Sequence, residues 1–127
     1  MDRNLRKAGV LLHITSLPSD YGIGDLGENA YKFVDSLEKA SIGLWQMLPV
    51  GPTGFGDSPY AARSAFAGNE LMISPRLLYL DGYLDVEDVM EKALPTERVD
   101  YGEARKLKMP MLRKAASAFL SAPEKEK

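Results

Sequence analysis

Apolar residues enter this chain in two rhythms. Residues 9–14 (Gly-Val-Leu-Leu-His-Ile) and 44–48 (Leu-Trp-Gln-Met-Leu) are short, almost unbroken apolar runs. Such runs mark strands that are covered on both faces in a parallel sheet. Between them Leu26, Ala30, Phe33, Val34, Leu37 and Ala40 recur at helical spacing, and Asp25 with Glu28 stands at capping-box distance. That pattern predicts a helix over about 26–40 and makes the front of the chain a right-handed βαβ crossover with parallel strands. Trp45 is expected to pack under the crossover helix.

The rear half is helical. Ser74-Pro75 opens a short helix carrying Leu77, Leu78 and Leu80. Asp85 caps another with Val86, Val89, Met90 and Ala93 inward, stopped by Pro95. Asp100 with Glu103 opens a longer one whose apolar face is Ala104, Leu107, Met111, Leu112, Ala115 and Phe119. Pro110 lies inside that helix and should bend it. Residues 61–69 are small and polar, periodicity is silent over 70–74, and the tail from 121 on is polar. The order of elements is α/β in front with a helical excursion behind, dividing near residue 74.

Composition narrows the class. The chain has 127 residues, 45% apolar and 27% charged, which is a globular balance. A net charge of −2, with basic and acidic residues interspersed, gives no footprint for nucleic acid or an anionic membrane. The absence of cysteine removes disulfides, thiolate metal sites and thiol nucleophiles. The polar N-terminus does not lead a signal peptide, and no apolar run approaches the ~18 residues of a membrane helix, so cytoplasm is the expected compartment.

Candidate chemistry concentrates after the second strand. Gly51-Pro-Thr-Gly-Phe-Gly-Asp-Ser-Pro-Tyr60 is a loop so rich in Gly and Pro that its path must be fixed. Tyr60 and Phe55 offer aromatic faces to a sugar-sized or base-sized ligand, while Asp57 and Ser58 offer hydrogen bonds to hydroxyls; the alternative is an aromatic folded back over neighbouring structure. Gly22-Ile-Gly-Asp-Leu-Gly27 matches G-x-G-x-x-G, but a loop separates it from the strand and Asp25 stands where phosphate would sit, so a turn and helix cap is favoured over nucleotide binding. His13, the sole histidine, ends the first strand and is read as a structural hydrogen-bonding residue rather than a ligand. It has no partner for a zinc site and no nucleophile elbow to serve. The remaining acids are explained by helix termini, and spacing marks no carboxylate dyad.

Five motifs in order, Gly9-Val-Leu-Leu-His-Ile-Thr-Ser-Leu-Pro18, Tyr21-Gly-Ile-Gly-Asp-Leu-Gly27, Trp45-Gln-Met-Leu-Pro49, Gly51 to Tyr60 and Ser64-Ala-Phe-Ala-Gly-Asn69, resemble the N-terminal part of the 4-α-glucanotransferase (amylomaltase or disproportionating enzyme) family, glycoside hydrolase family 77. The resemblance implies the first two strands of a (β/α)₈ TIM barrel, with active-site loops at their carboxyl ends. It implies transfer of α-1,4-glucan segments between maltodextrins by a retaining double displacement, without a cofactor or metal. By the same resemblance Tyr60 stacks on the donor sugar, Ser58 contributes a polar contact, and Phe55 and Tyr101 take positions tied to glucan docking away from the catalytic centre. Phe55 lacks the hydroxyl of the family's usual tyrosine. Ser41 replaces a usual glycine and Glu70 a usual proline.

The family's nucleophile lies in Arg-x-Asp-His, its acid/base in Glu-Asp-Leu-Gly and its third carboxylate in Thr-His-Asp. None of these occurs in the sequence, where His13 is the one histidine. The expectation is therefore an N-terminal piece of the enzyme, inactive alone, with residues 1–74 carrying the strands and substrate loop and 75–127 belonging to an inserted helical subdomain. A non-catalytic carbohydrate-binding module is the alternative. Strands made for a closed barrel should leave an open edge and uncovered apolar faces, so marginal stability or aggregation is expected.

Overall fold

A computed structural model describes residues 6–90, 94 and 97–123. The two strands are present and parallel: β1 (Gly9–Leu11) pairs with β2 (Leu44–Gln46) in the register Gly9 to Leu44, Val10 to Trp45 and Leu11 to Gln46. Each is shorter than its apolar run. Beyond Leu12, whose N–H still donates to the Gln46 carbonyl, the chain turns through a single helical turn at Ile14–Ser16. Ile14 is buried in that turn rather than in a strand.

Helix α1 (Glu28–Lys39) makes the crossover. Its start corrects the sequence expectation: Gly27 is the cap, and Asp25 sits two residues earlier, accepting the Gly27 N–H at 3.0 Å. Glu28 pairs forward with Lys32 at 2.6 Å instead of reaching back to close a capping box. The far end closes as a Schellman turn, with the Ile42 N–H on the Leu37 carbonyl and the Ser41 N–H on the Glu38 carbonyl. Ser41 is left-handed there, at φ 56°, which is the conformation glycine adopts without strain. Phe33 of α1 meets Trp45 edge to face at 5.0 Å, and the Trp45 indole N–H donates to the Leu12 carbonyl at 2.7 Å, so Trp45 does pack beneath the crossover.

Three further helices follow: α2 (Pro75–Leu80), α3 (Val86–Val89) and α4 (Tyr101–Ser121). Their caps are the expected ones. Ser74 accepts from the Leu77 N–H, Asp85 and Asp88 form a reciprocal capping box, and Asp100 accepts from the Glu103 N–H. Helix α3 ends at Val89, with Val86 and Met90 exposed rather than inward; Ala93 and Pro95 lie outside the described residues. Helix α4 runs through Pro110 without interruption.

The core does not lie under the sheet. One cluster joins Tyr21 to Leu84, Val89, Met111 and Ala115; a second joins Ile23 to Leu71 and Ala104. Both are built between the loop that follows β1 and helix α4. The sheet shows Leu11 and Leu44 to solvent, and Leu26 before α1 and Val34 on it are exposed as well. No helix among the described residues is long and apolar enough to cross a membrane.

Candidate functional site

The loop after β2 is closed on itself. Thr53 and Ala62 form an antiparallel bridge, the Arg63 N–H donates to the Pro52 carbonyl at 3.0 Å, its side-chain Nε donates to the Thr53 carbonyl at 3.0 Å, and the Asn69 N–H donates to the Val50 carbonyl. A glycine at 54 is required, because a β-carbon there would fall on the Ala61 carbonyl oxygen. At the tip Gly56 and Asp57 are both left-handed, at φ 68° and 52°. The carboxylate of Asp57 accepts from the Thr53 hydroxyl at 3.3 Å and pairs with Arg105 of α4 at 3.4 Å.

This framework presents the predicted residues together. Ser58 accepts the Tyr60 N–H on its hydroxyl at 3.3 Å, a short turn that throws the Tyr60 ring outward, where it is 76% exposed. Phe55, on the same loop, is 98% exposed. Asp57, Ser58, Tyr60 and Phe55 thus share one loop tip. Phe66 is 99% exposed on the returning limb and was not singled out by the sequence reading, although an aromatic in a small, polar run was the available signal. Tyr101 stands apart: half-buried against the Ile23, Leu71 and Ala104 cluster, it donates its hydroxyl to Thr15 Oγ1 at 3.4 Å.

The loop after β1 is a packed support. Gly24 lies so close to the Ile14 and Leu17 backbones that a β-carbon would overlap the Ile14 carbonyl oxygen. At Gly27 a β-carbon would meet the Asp25 carboxylate and the Ser74 hydroxyl. Of the glycines in the G-x-G-x-x-G stretch, Gly24 thus serves close backbone packing, Gly27 makes room for side chains and Gly22 is left-handed at φ 74°, while the N-terminus of α1 is already filled by the Asp25 carboxylate. His13 is buried, with burial lowering its pKa from the ordinary 6.5, and its Nδ1 has no hydrogen-bond partner among the described residues.

The residue that sequence reasoning missed is Lys108. It is 0% exposed in the middle of the apolar face of α4, donating to Asp25 Oδ2 at 3.1 Å and to the Leu71 carbonyl at 2.6 Å. Burial raises the Asp25 pKa and lowers that of Lys108, in each case against the pull of the partner's charge. A charged residue repeating in register with Ala104, Met111 and Ala115 was the signal for it. No group of three or more His, Cys, Asp or Glu side chains able to hold a metal occurs among the described residues.

A parallel βαβ unit whose second strand opens into a loop that is closed on itself and bears exposed aromatics is an α/β arrangement. The model of the 4-alpha-glucanotransferase family, glycoside hydrolase family 77, matches residues 12–127, and the chain belongs to that family. It is 47% identical to the chloroplastic/amyloplastic 4-alpha-glucanotransferase of Solanum tuberosum over 121 residues, covering 92% of this chain and 21% of the relative. With the 4-alpha-glucanotransferase of Thermus thermophilus it shares 48% identity over 114 residues, covering 90% of this chain and 22% of the relative. The fold superposes on the amylomaltase of Streptococcus agalactiae, solved in complex with acarbose, with a TM-score of 0.88 at 44% identity, covering 96% of this chain and 25% of that one. The chain spans about a fifth to a quarter of the length of these relatives.

Proposed function

We propose that this chain forms part of the substrate-binding wall of a 4-α-glucanotransferase that moves α-1,4-glucan segments between maltodextrins. β1 and β2 are the first two strands of a (β/α)₈ barrel, residues 1–74 carry the sugar-facing loop, and 75–127 form the helical subdomain that supports it. The observation that carries the reading is the Tyr60 ring, 76% exposed on a loop whose backbone is fastened by its own hydrogen bonds. A fixed aromatic face suits the apolar face of a glucose ring, and Ser58 and Asp57 stand beside it to meet hydroxyls. Phe55 extends the apolar surface away from that point, and Tyr101 lies at a second, more distant docking position.

The reaction itself is a retaining double displacement. A carboxylate attacks the anomeric carbon as an acid protonates the leaving oxygen, and the 4-hydroxyl of an acceptor sugar then opens the covalent glucosyl-enzyme. Those carboxylates are outside these 127 residues; what this chain does is hold the donor sugar in register. Acarbose, found in the Streptococcus agalactiae amylomaltase, is a suitable probe. Titrating acarbose or maltoheptaose into the 15N-labelled chain should shift the Gly56 to Ala61 amides, and Tyr60→Ala should abolish the shifts. Unchanged spectra refute the reading. Incubation with maltotriose should yield no longer maltodextrin; turnover by the pure chain would place the catalytic groups within it.

A further inference from the structure

Among the described ion pairs, one side chain fastens the tip of the sugar-facing loop to the helical half. We propose that Arg105, one helical turn after Tyr101 on α4, is a positioning residue that ties Asp57 to Glu70 and so sets the tilt at which Tyr60 meets its ligand. The inference rests on the sugar-binding reading of Tyr60. Two different nitrogens of the guanidinium reach the two carboxylates, Nη2 to Asp57 Oδ1 at 3.4 Å and Nη1 to Glu70 Oε1 at 3.3 Å. A planar fork held at both prongs fixes its partners' relative positions, which a single ammonium cannot do. The two anchors differ in kind.

Glu70 begins the single helical turn Glu70–Met72, capped by Asn69 and packed through buried Leu71 into the core, so it is a fixed post. Asp57 is the opposite: a left-handed, non-glycine residue directly after a left-handed glycine, at the loop tip. Backbone of that kind persists only when its surroundings hold it. The other described bonds of the tip, from Thr53 and within the Gly54 to Ala61 turns, are internal to the loop. Among the described ion pairs, Arg105 alone joins the tip to another element. Only Ser58 and Pro59 separate Asp57 from Tyr60, so a shift at the tether moves the ring directly.

The experiment compares the 127-residue chain with Arg105→Ala, Arg105→Lys, Glu70→Ala and the double variant Glu70→Ala/Arg105→Ala. Three quantities are read: amide exchange at 56–61, the Kd for maltoheptaose, and Tm. Because the three side chains are about a third exposed, Arg105→Ala should weaken maltoheptaose binding about two- to fivefold, with faster exchange confined to the tip and little change in Tm. Arg105→Lys should fail to restore affinity, and Glu70→Ala should add nothing once Arg105 is gone. Unchanged exchange and affinity in Arg105→Ala overturn the proposal, as does a uniform loosening of the whole chain. A wild-type chain that ignores maltoheptaose overturns the sugar reading beneath it, while the exchange rates still decide whether Arg105 orders the tip.

Discussion

Lys108→Met keeps a long unbranched side chain on α4 and removes only the ammonium. The structure says what is then stranded. Asp25, with its side chain 9% exposed, keeps the Gly27 N–H but loses its counter-charge, and the Leu71 carbonyl loses a donor at 2.6 Å. Leaving one member of a buried pair uncompensated costs about 3–5 kcal/mol, against about 5–15 kcal/mol for the whole stability of a small domain. Guanidinium denaturation followed by circular dichroism should therefore show a midpoint reduced by about a fifth or more at unchanged slope.

The double variant Asp25→Asn/Lys108→Met should recover at least half of that loss, and the pKa directions give the reason. The raised Asp25 pKa means the folded chain holds this proton where the unfolded chain, at 3.8, has released it; its contribution is present below 3.8 and is lost as pH rises through the folded value. Lys108 is depressed below 10.5, so its contribution is present above 10.5 and lost as pH falls through the folded value. Burial thus makes the ionised pair costly in the folded chain, and the neutral pair escapes that cost. The gain of the double variant over Lys108→Met should grow as pH rises and the stranded Asp25 carboxyl is driven to ionise. A Lys108→Met chain within about 1 kcal/mol of wild type, or a double variant worse than the single, refutes the argument that the buried charge is what the fold must compensate.

Ser41→Gly should stabilise the chain by about 0.5–1 kcal/mol in thermal melts, since the left-handed backbone costs a non-glycine residue about 1–2 kcal/mol and glycine's extra unfolded freedom returns part of it. Gly24→Ala should destabilise by about 3 kcal/mol or more, because the methyl meets backbone at Ile14 and Leu17 that cannot rotate aside; a soluble variant with an unchanged melt would contradict the packing described. His13 is held below 6.5 by burial, so the unfolded chain binds its proton first as pH falls. Its contribution is present above 6.5 and lost as pH drops through the folded value, and the Tm difference between pH 7.5 and 5.5 should shrink in His13→Gln.

What could be read from the sequence had its information close at hand. Asp100, Asp85 and Ser74 each cap a helix through a bond to a residue three positions on, so the signal fits inside one turn. Trp45 followed from its apolar run, and the placing of Asp57, Ser58, Tyr60 and Phe55 on one loop from glycine and proline density. Strand ends were overrun because an apolar run does not distinguish extended chain from a buried turn, and residues 13–16 are that turn. Asp25 misled because a local role explained it. Three residues before Glu28, it fits a cap, whereas its main partner is 83 residues away. Arg105 reads as an ordinary surface cation until the loop is folded against it.

That separation between Asp25 and Lys108 also has a meaning in time. Synthesis at about 5–20 residues/s puts roughly 4–17 s between the two residues. During that interval α1 and β2 are synthesised while Tyr21 and Ile23 still wait for the helix that buries them. The speed of elongation through α2, α3 and the start of α4, rather than the depth of the final energy well, then sets how long Tyr21 and Ile23 stand open to a neighbouring nascent chain.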